Sequence, residues 1–278
     1  MRIGIFAKTF PGSDPRAVLG DVAAAGFSTT QYNMACSGLP SLPDRIDEAA
    51  IEAVRAAATG AGVAIAALSG TFNMIHPDPA VRSAGIEKLA ILARAARPMG
   101  TRLVTLCTGT RDPDDQWRAH PDNAAPEAWS DLLVAMEAAL AIAEANDIDL
   151  GIEPELANVV SSAGLALRLI DDIGSPRIRI VLDAANLFEQ ASLAEQRIIV
   201  SRAVDLLADR IAIAHAKDRA ADGSFSVAGQ GVLDYAHYLA ELRRAGFDGA
   251  LIAHGLDAGE APGVAAFLRD LIATPDAS

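Results

Sequence analysis

The amino-acid sequence predicts a single-domain (β/α)8 barrel, and three observations carry that expectation. Short runs rich in Ile, Val and Leu alternate with longer Ala-, Leu- and Glu-rich segments whose apolar residues recur at helical spacing. Eight such pairs follow one another over 278 residues, about 35 residues per pair, which is the length a closed parallel barrel needs. The competing architecture, a doubly wound open sheet, calls for a GxGxxG turn after its first strand, and "GIFAKTFPGSD" has the wrong spacing.

Strands are expected near 2–7, 27–32, 63–69, 102–107, 148–153, 178–183, 210–215 and 250–254. Helices are expected near 14–25, 44–60, 79–98, 126–146, 161–173, 192–208, 233–245 and 261–273. Their ends carry chemical signals. Pro15, Pro79 and Pro262 suit first turns, where a missing N–H costs nothing, and Asp44, Asp78 and Ser192 are N-cap candidates. Gly26 in "AAAGF" and Gly246 in "RRAGF" follow helices at positions that want a left-handed residue. The least regular connection, "TGTRDPDDQWRAHPDNAAPE" at 108–127, leaves the fourth strand; a loop this long in a compact domain usually works, often as an active-site lid. Without an internal linker, low-complexity tract or charge block, residues 1–278 read as one domain.

Composition narrows the partners. A net charge of −13 and a pI near 4.7 repel phosphate backbones and anionic membranes, so no nucleic acid and no membrane partner is expected; a small molecule is. Cys36 and Cys107 form no CxxC pair, which argues against a disulfide framework or a thiolate zinc site. No apolar signal region precedes the first strand and no run of about 18 uncharged apolar residues occurs, so a cytoplasmic protein is expected.

Polar residues at strand ends mark the expected site. In such a barrel the carboxyl ends of all strands share one face, where active sites form. Glu153 ends "LGIE", Asp183 ends "IVLD", His215 ends "IAIAH" and His254 ends "LIAH", on four consecutive strands. Two unpaired buried acids would each cost several kcal/mol, so a shared cation or a mutual polar network is required. Carboxylate and imidazole donors suit Mn, Zn, Co or Fe better than Ca, with Mg also a candidate.

"GIEPE", "IVLDAANLF", "AHAKD" followed by "VAGQGVLDY", and "NMIHPDPAVRSAGIEKLAILARAARPMGT" together resemble the xylose isomerase-like superfamily of sugar isomerases and epimerases, over nearly the whole chain. The resemblance implies a TIM barrel with a divalent metal held by Glu, Asp, His and Glu at the ends of strands five to eight. Glu153, Asp183 and His215 match the first three positions. His254 stands where the family carries the fourth, a glutamate; the resemblance implies that this glutamate and the fifth-strand one, matched by Glu153, are the two proton-transfer groups of its epimerases on opposite faces of the sugar carbon, and here the His254 imidazole is either a ligand or a base. The implied chemistry is isomerisation or epimerisation of a sugar or polyol-derived ketone through a metal-stabilised enediolate. The alternative is a dehydratase acting on a keto-inositol or 3-keto sugar through the same enolate. The superfamily also contains DNA-repair endonucleases, against which the acidic charge and five histidines speak, and a non-catalytic sugar-binding protein is a further reading.

Glu155 is expected to act as a base, to bind a sugar hydroxyl, or to pair with Arg111. His76 is read either as a substrate or second-metal contact or as a hydrogen-bonded helix start near Asp78. Lys217 and Asp218 are expected to bind a hydroxyl or anion and orient His215, or simply to form an ion pair. Asn186 falls where several relatives carry histidine, which weakens any case for several metals, and is counted with the substrate-binding residues. Arg111, Trp117 and His120 are expected to close over a polar ligand, Trp117 offering an apolar face to a sugar ring or an anchor for a homo-oligomer. "GQG" at 229–231 reads as a tight turn, since it lacks the lysine and hydroxyl of a phosphate loop.

Overall fold

The Ile/Val/Leu runs form strands, and parallel pairing closes them on themselves. The computed structural model describes residues 1–274. Its barrel strands are β1 (Arg2–Phe6), β2 (Thr29–Tyr32), β3 (Ala64–Ser69), β4 (Leu103–Cys107), β5 (Asp149–Glu153), β6 (Ile178–Asp183), β7 (Ile211–Ala216) and β10 (Ala250–Ala253), each parallel to its neighbours. Between β7 and β10 the chain adds an antiparallel ribbon, β8 (Asp218–Arg219) with β9 (Phe225–Ser226), that the strand pattern did not announce. Eight helices follow the barrel strands: α1 (Pro15–Ala24), α2 (Glu48–Ala61), α3 (Pro79–Ala96), α4 (Pro126–Asn146), α5 (Ala163–Ile173), α6 (Leu193–Leu207), α7 (Tyr235–Arg244) and α8 (Ala261–Ala273). Among the described residues no helix is long and apolar enough to cross a membrane.

The core has two parts because every strand is covered on both faces. Inside the barrel, Ala67, Leu103, Val181, Ile213, Ala250 and Ile252 make a small plug. A larger layer between strands and helices includes Leu89, Leu132, Leu169, Val204 and Leu268, all at most 1% exposed. Above the plug, toward the carboxyl ends of the strands, the interior turns polar.

Most helix ends follow the chemistry of their sequences. Asp78 accepts from the Ala80 N–H, and Ser192 with Glu195 forms a reciprocal capping box. The second helix differs: it starts at Glu48 with Asp47 as its cap, while Asp44 pairs with Lys88 at 3.2 Å. Helix α4 ends on Asp147, a left-handed non-glycine residue (φ 51°). Its carboxylate is ion-paired to Arg97, Arg102 and Arg177.

The long connection after β4 is laced down at many points. Asn73 both donates to the Thr110 carbonyl (2.8 Å) and accepts from the Thr110 N–H (3.0 Å). Asp112 accepts from two backbone N–H groups and from the Arg118 guanidinium, which holds its carboxyl well below the usual range. Gly109 (φ 80°) sits so close to Asn73 that a Cβ would lie 2.1 Å from Asn73 Oδ1.

After β7, the Asp218 carboxylate organises the turn that follows. It accepts from the backbone N–H groups of Arg219 (2.8 Å), Leu233 (2.9 Å), Gly229 (3.0 Å) and Gly231 (3.1 Å). A Cβ on Gly231 would fall 2.2 Å from the Arg219 carbonyl, which explains the second glycine of "GQG". The turn thus wraps an internal anion, and Asp218 has no oxygen left for a substrate. Replacing Asp218 by asparagine turns an amino group toward buried N–H donors; urea unfolding should register a loss of about 3 kcal/mol. An unchanged midpoint would contradict the cradle.

Candidate metal centre and active site

Four strand ends deliver the polar cluster. Glu153 and Asp183 are the last residues of β5 and β6, His215 is the penultimate residue of β7, and His254 directly follows β10. One donor atom from each lies within 4.8 Å of the others. His215 Nδ1 stands 3.2 Å from Glu153 Oε1 and 3.8 Å from Asp183 Oδ2; His254 Nε2 is 3.1 Å from Asp183 Oδ2. The two imidazoles pack edge to face at 4.6 Å, and Phe6 packs against both.

Surrounding groups use up the atoms that face away. Asp183 Oδ1 accepts from the Ala185 N–H (2.9 Å), leaving Oδ2 to the cluster. Asn186 Nδ2 donates to Glu153 Oε1 (2.8 Å), and its carbonyl accepts from Lys217 Nζ (2.7 Å). Lys217 Nζ is also 3.4 Å from Asp183 and stacks over Phe225 at 3.7 Å. The residues present fit a divalent cation: carboxylate oxygens and imidazole nitrogens converge on one point, and two acidic groups at one centre need positive charge nearby.

The electrostatics follow from burial set against neighbours. Burial alone would raise Glu153, but His215 beside it holds its carboxyl below the usual range. Asp183, 1% exposed, would also rise on burial, yet Lys217 and His254 hold it far lower. Burial pushes His254 down, toward the neutral imidazole that binds metals. Glu155, two residues beyond Glu153, is pushed up to about 7 by burial, which outweighs Lys217.

A cleft of about 600 Å³ opens above the cluster. Glu153, Glu155, Lys217, His254 and Trp117 line it, and Trp117 remains 54% exposed. Asn186 is buried beneath it and reaches the cleft only through Glu153 and Lys217. His76 and Arg111 are not part of its lining. His76 accepts from the Asp78 N–H through Nδ1 (3.0 Å), with Nε2 3.1 Å from the Pro113 carbonyl, so its ring ties the start of α3 to the long loop. Arg111 is held by Asp131 (2.7 Å) and the Ile75 carbonyl (3.0 Å), which removes it as a partner for Glu155. His120 caps the short turn 121–124 instead of facing the cleft.

Sequence reasoning missed Gln31 and Phe6. Gln31 lies in β2, 2% exposed, with Oε1 3.1 Å from His215 Nε2. The signal was present as an amide inside a four-residue strand, "TTQY". Phe6 gave no such signal, because an aromatic ending an apolar strand looks like ordinary core.

Fold and site together define a (β/α)8-barrel enzyme with a candidate divalent-cation centre, its reaction left open. The chain belongs to the xylose isomerase-like TIM barrel family, whose model matches residues 19–271. Among solved structures it is similar to 3-keto-D-glucoside 4-epimerase YcjR from E. coli (16% identity, 97% of this chain and 99% of that one, TM-score 0.77). It is also similar to D-psicose 3-epimerase from Clostridium cellulolyticum H10 (16%, 98% and 99%, TM-score 0.74) and to a zinc-bound IolI protein (16%, 98% and 98%, TM-score 0.74). No curated protein matches by sequence.

Glu155 supplies a pH test. Folded, it keeps its proton to about 7; unfolded, it ionises near its ordinary value of 4.5. The folded state therefore binds more protons between those values, and stability falls as pH rises through that window. In metal-free protein, Glu155→Gln should gain on the wild type from pH 5 to pH 8 by on the order of 2 kcal/mol. Parallel urea-unfolding profiles for the two proteins would contradict the shift.

Proposed function

We propose that the chain is a divalent-metal-dependent isomerase or epimerase of a sugar or polyol-derived ketone. The observation that carries this reading is the convergence of Glu153, Asp183, His215 and His254 at the floor of a cleft large enough for a carbohydrate. The structural relatives named above, two sugar epimerases and a zinc-bound protein, support the same class. Mn, Zn, Co, Fe and Mg remain the candidate ions, since the donor set suits transition metals and Mg accepts carboxylates.

A bound divalent ion supplies Lewis acidity that makes a carbon-bound proton beside a carbonyl easier to remove. Glu153 is ionised near neutral pH and is the base for that proton. Asn186 holds the Glu153 carboxylate and is itself held by Lys217, whose ammonium brings positive charge to the cleft wall. His254 acts as the fourth ligand: its Nε2 already faces Asp183, and burial favours its neutral form. Trp117 presents an apolar face to one side of the sugar, and the laced loop keeps it there.

One observation favours a second reading, a dehydratase acting on a keto-inositol or 3-keto sugar. The eighth-strand position that the family fills with a glutamate carries the His254 imidazole, while Glu155, whose proton burial holds more tightly than usual in the metal-free protein, lines the same cleft two residues beyond Glu153. An acid so placed serves a departing hydroxyl.

Incubation with ketoses, 3-keto sugars and inososes in D₂O, followed by NMR, separates the two. Deuterium at a carbon beside the carbonyl without loss of water supports the isomerase reading; an enone supports the dehydratase. Metal analysis of the purified protein should find a divalent ion, and chelation should abolish turnover. Glu153→Gln should lower turnover by roughly 10²–10⁴-fold. Activity that survives complete metal removal would overturn both readings.

A further inference from the structure

We infer that Gln31 decides which nitrogen of His215 faces the cluster, and so acts as a positioning residue for the metal centre. The inference rests on the metal-dependent reading above. A ligating imidazole must offer a bare nitrogen to the ion and keep its proton on the other nitrogen, where a hydrogen-bond acceptor fixes it. His215 Nδ1 faces Glu153 and Asp183, so the proton belongs on Nε2. The acceptor within reach of Nε2 is Gln31 Oε1, at 3.1 Å.

The amide itself is oriented from behind. Gln31 Nε2 donates to Thr105 Oγ1 (3.0 Å) and Ser69 Oγ (3.3 Å), so both donors are used on neighbouring strands and the carbonyl is left for His215. All these groups are buried, where an unmatched polar atom is costly. If the amide turned over, its amino group would meet Nε2, the ring proton would move to Nδ1, and that proton would cap the cluster against a cation. Phe6 and His254 restrain the ring by edge contacts, but such contacts cannot choose between the two nitrogens. Gln31 therefore links β2, β3 and β4 to the ligand on β7 across the barrel interior.

The experiment measures Zn²⁺ affinity by chelator competition for wild type, Gln31→Met and Gln31→Glu, each checked for a cooperative thermal transition. Methionine keeps length and bulk but replaces the amide carbonyl by a thioether, a far weaker acceptor, and should weaken Zn²⁺ by about 10–100-fold. Glutamate keeps the acceptor, with the Ser69 and Thr105 hydroxyls turned to donate to it, and should hold wild-type affinity or exceed it. Nitrogen-15 NMR of the zinc-loaded wild type should find His215 bound through Nδ1 and protonated at Nε2, a readout that needs no variant to fold. Equal affinity in Gln31→Met, or zinc on Nε2, would overturn the inference while leaving the metal centre standing. Wild-type protein that binds neither Zn²⁺ nor Mn²⁺ would instead overturn the metal reading itself.

Discussion

Two carboxylates and two imidazoles share one point at the barrel mouth, and that crowding governs everything around them. Asp183 is almost fully buried, so its charge must be met by neighbours; Lys217, His254 and His215 do this from three directions. Asn186 then bridges Lys217 to Glu153, and Gln31 meets the far side of His215. Remove any one of these and at least one buried polar atom loses one of its partners, which is why the site reads as a single connected network.

The connections beyond the strands serve this network by being rigid. Asp218 gathers four backbone N–H groups into one turn, and the Tyr235 hydroxyl donates to the Lys217 carbonyl (3.0 Å), so the chain that carries Lys217 is held on both sides. Elsewhere around the cleft, Asn73, Asp112 and Arg111 fasten the long loop that bears Trp117. That loop resembles a fixed wall more than a flap, because its polar groups are spent on internal bonds.

Much of the barrel was legible in the chain. Alternating strand and helix periods, with Pro15, Asp78, Ser192 and Gly246 as punctuation, are local properties and survive folding unchanged. Asp44 misled because an N-cap is defined by the backbone turn that follows, and that turn begins three residues later at Asp47. The β8–β9 ribbon escaped notice because two-residue strands carry no periodicity. Glu153, Asp183 and His215 stood out as polar residues ending apolar runs; Gln31 lacked that mark, because it lies inside a strand whose first two residues are threonines, so one more polar side chain drew no attention.

By itself the sequence determined that eight strand–helix units follow in order and that four of them end in metal-type donors, since both depend only on near neighbours along the chain. Tertiary structure decided the partners. His76 and Arg111, both polar and both near strand ends, spend their hydrogen bonds on the long loop and helix α4, while a glutamine 184 residues from His215 reaches its ring. Barrel closure brings β2 and β7 to a common interior, and no local pattern encodes which side chains will meet there.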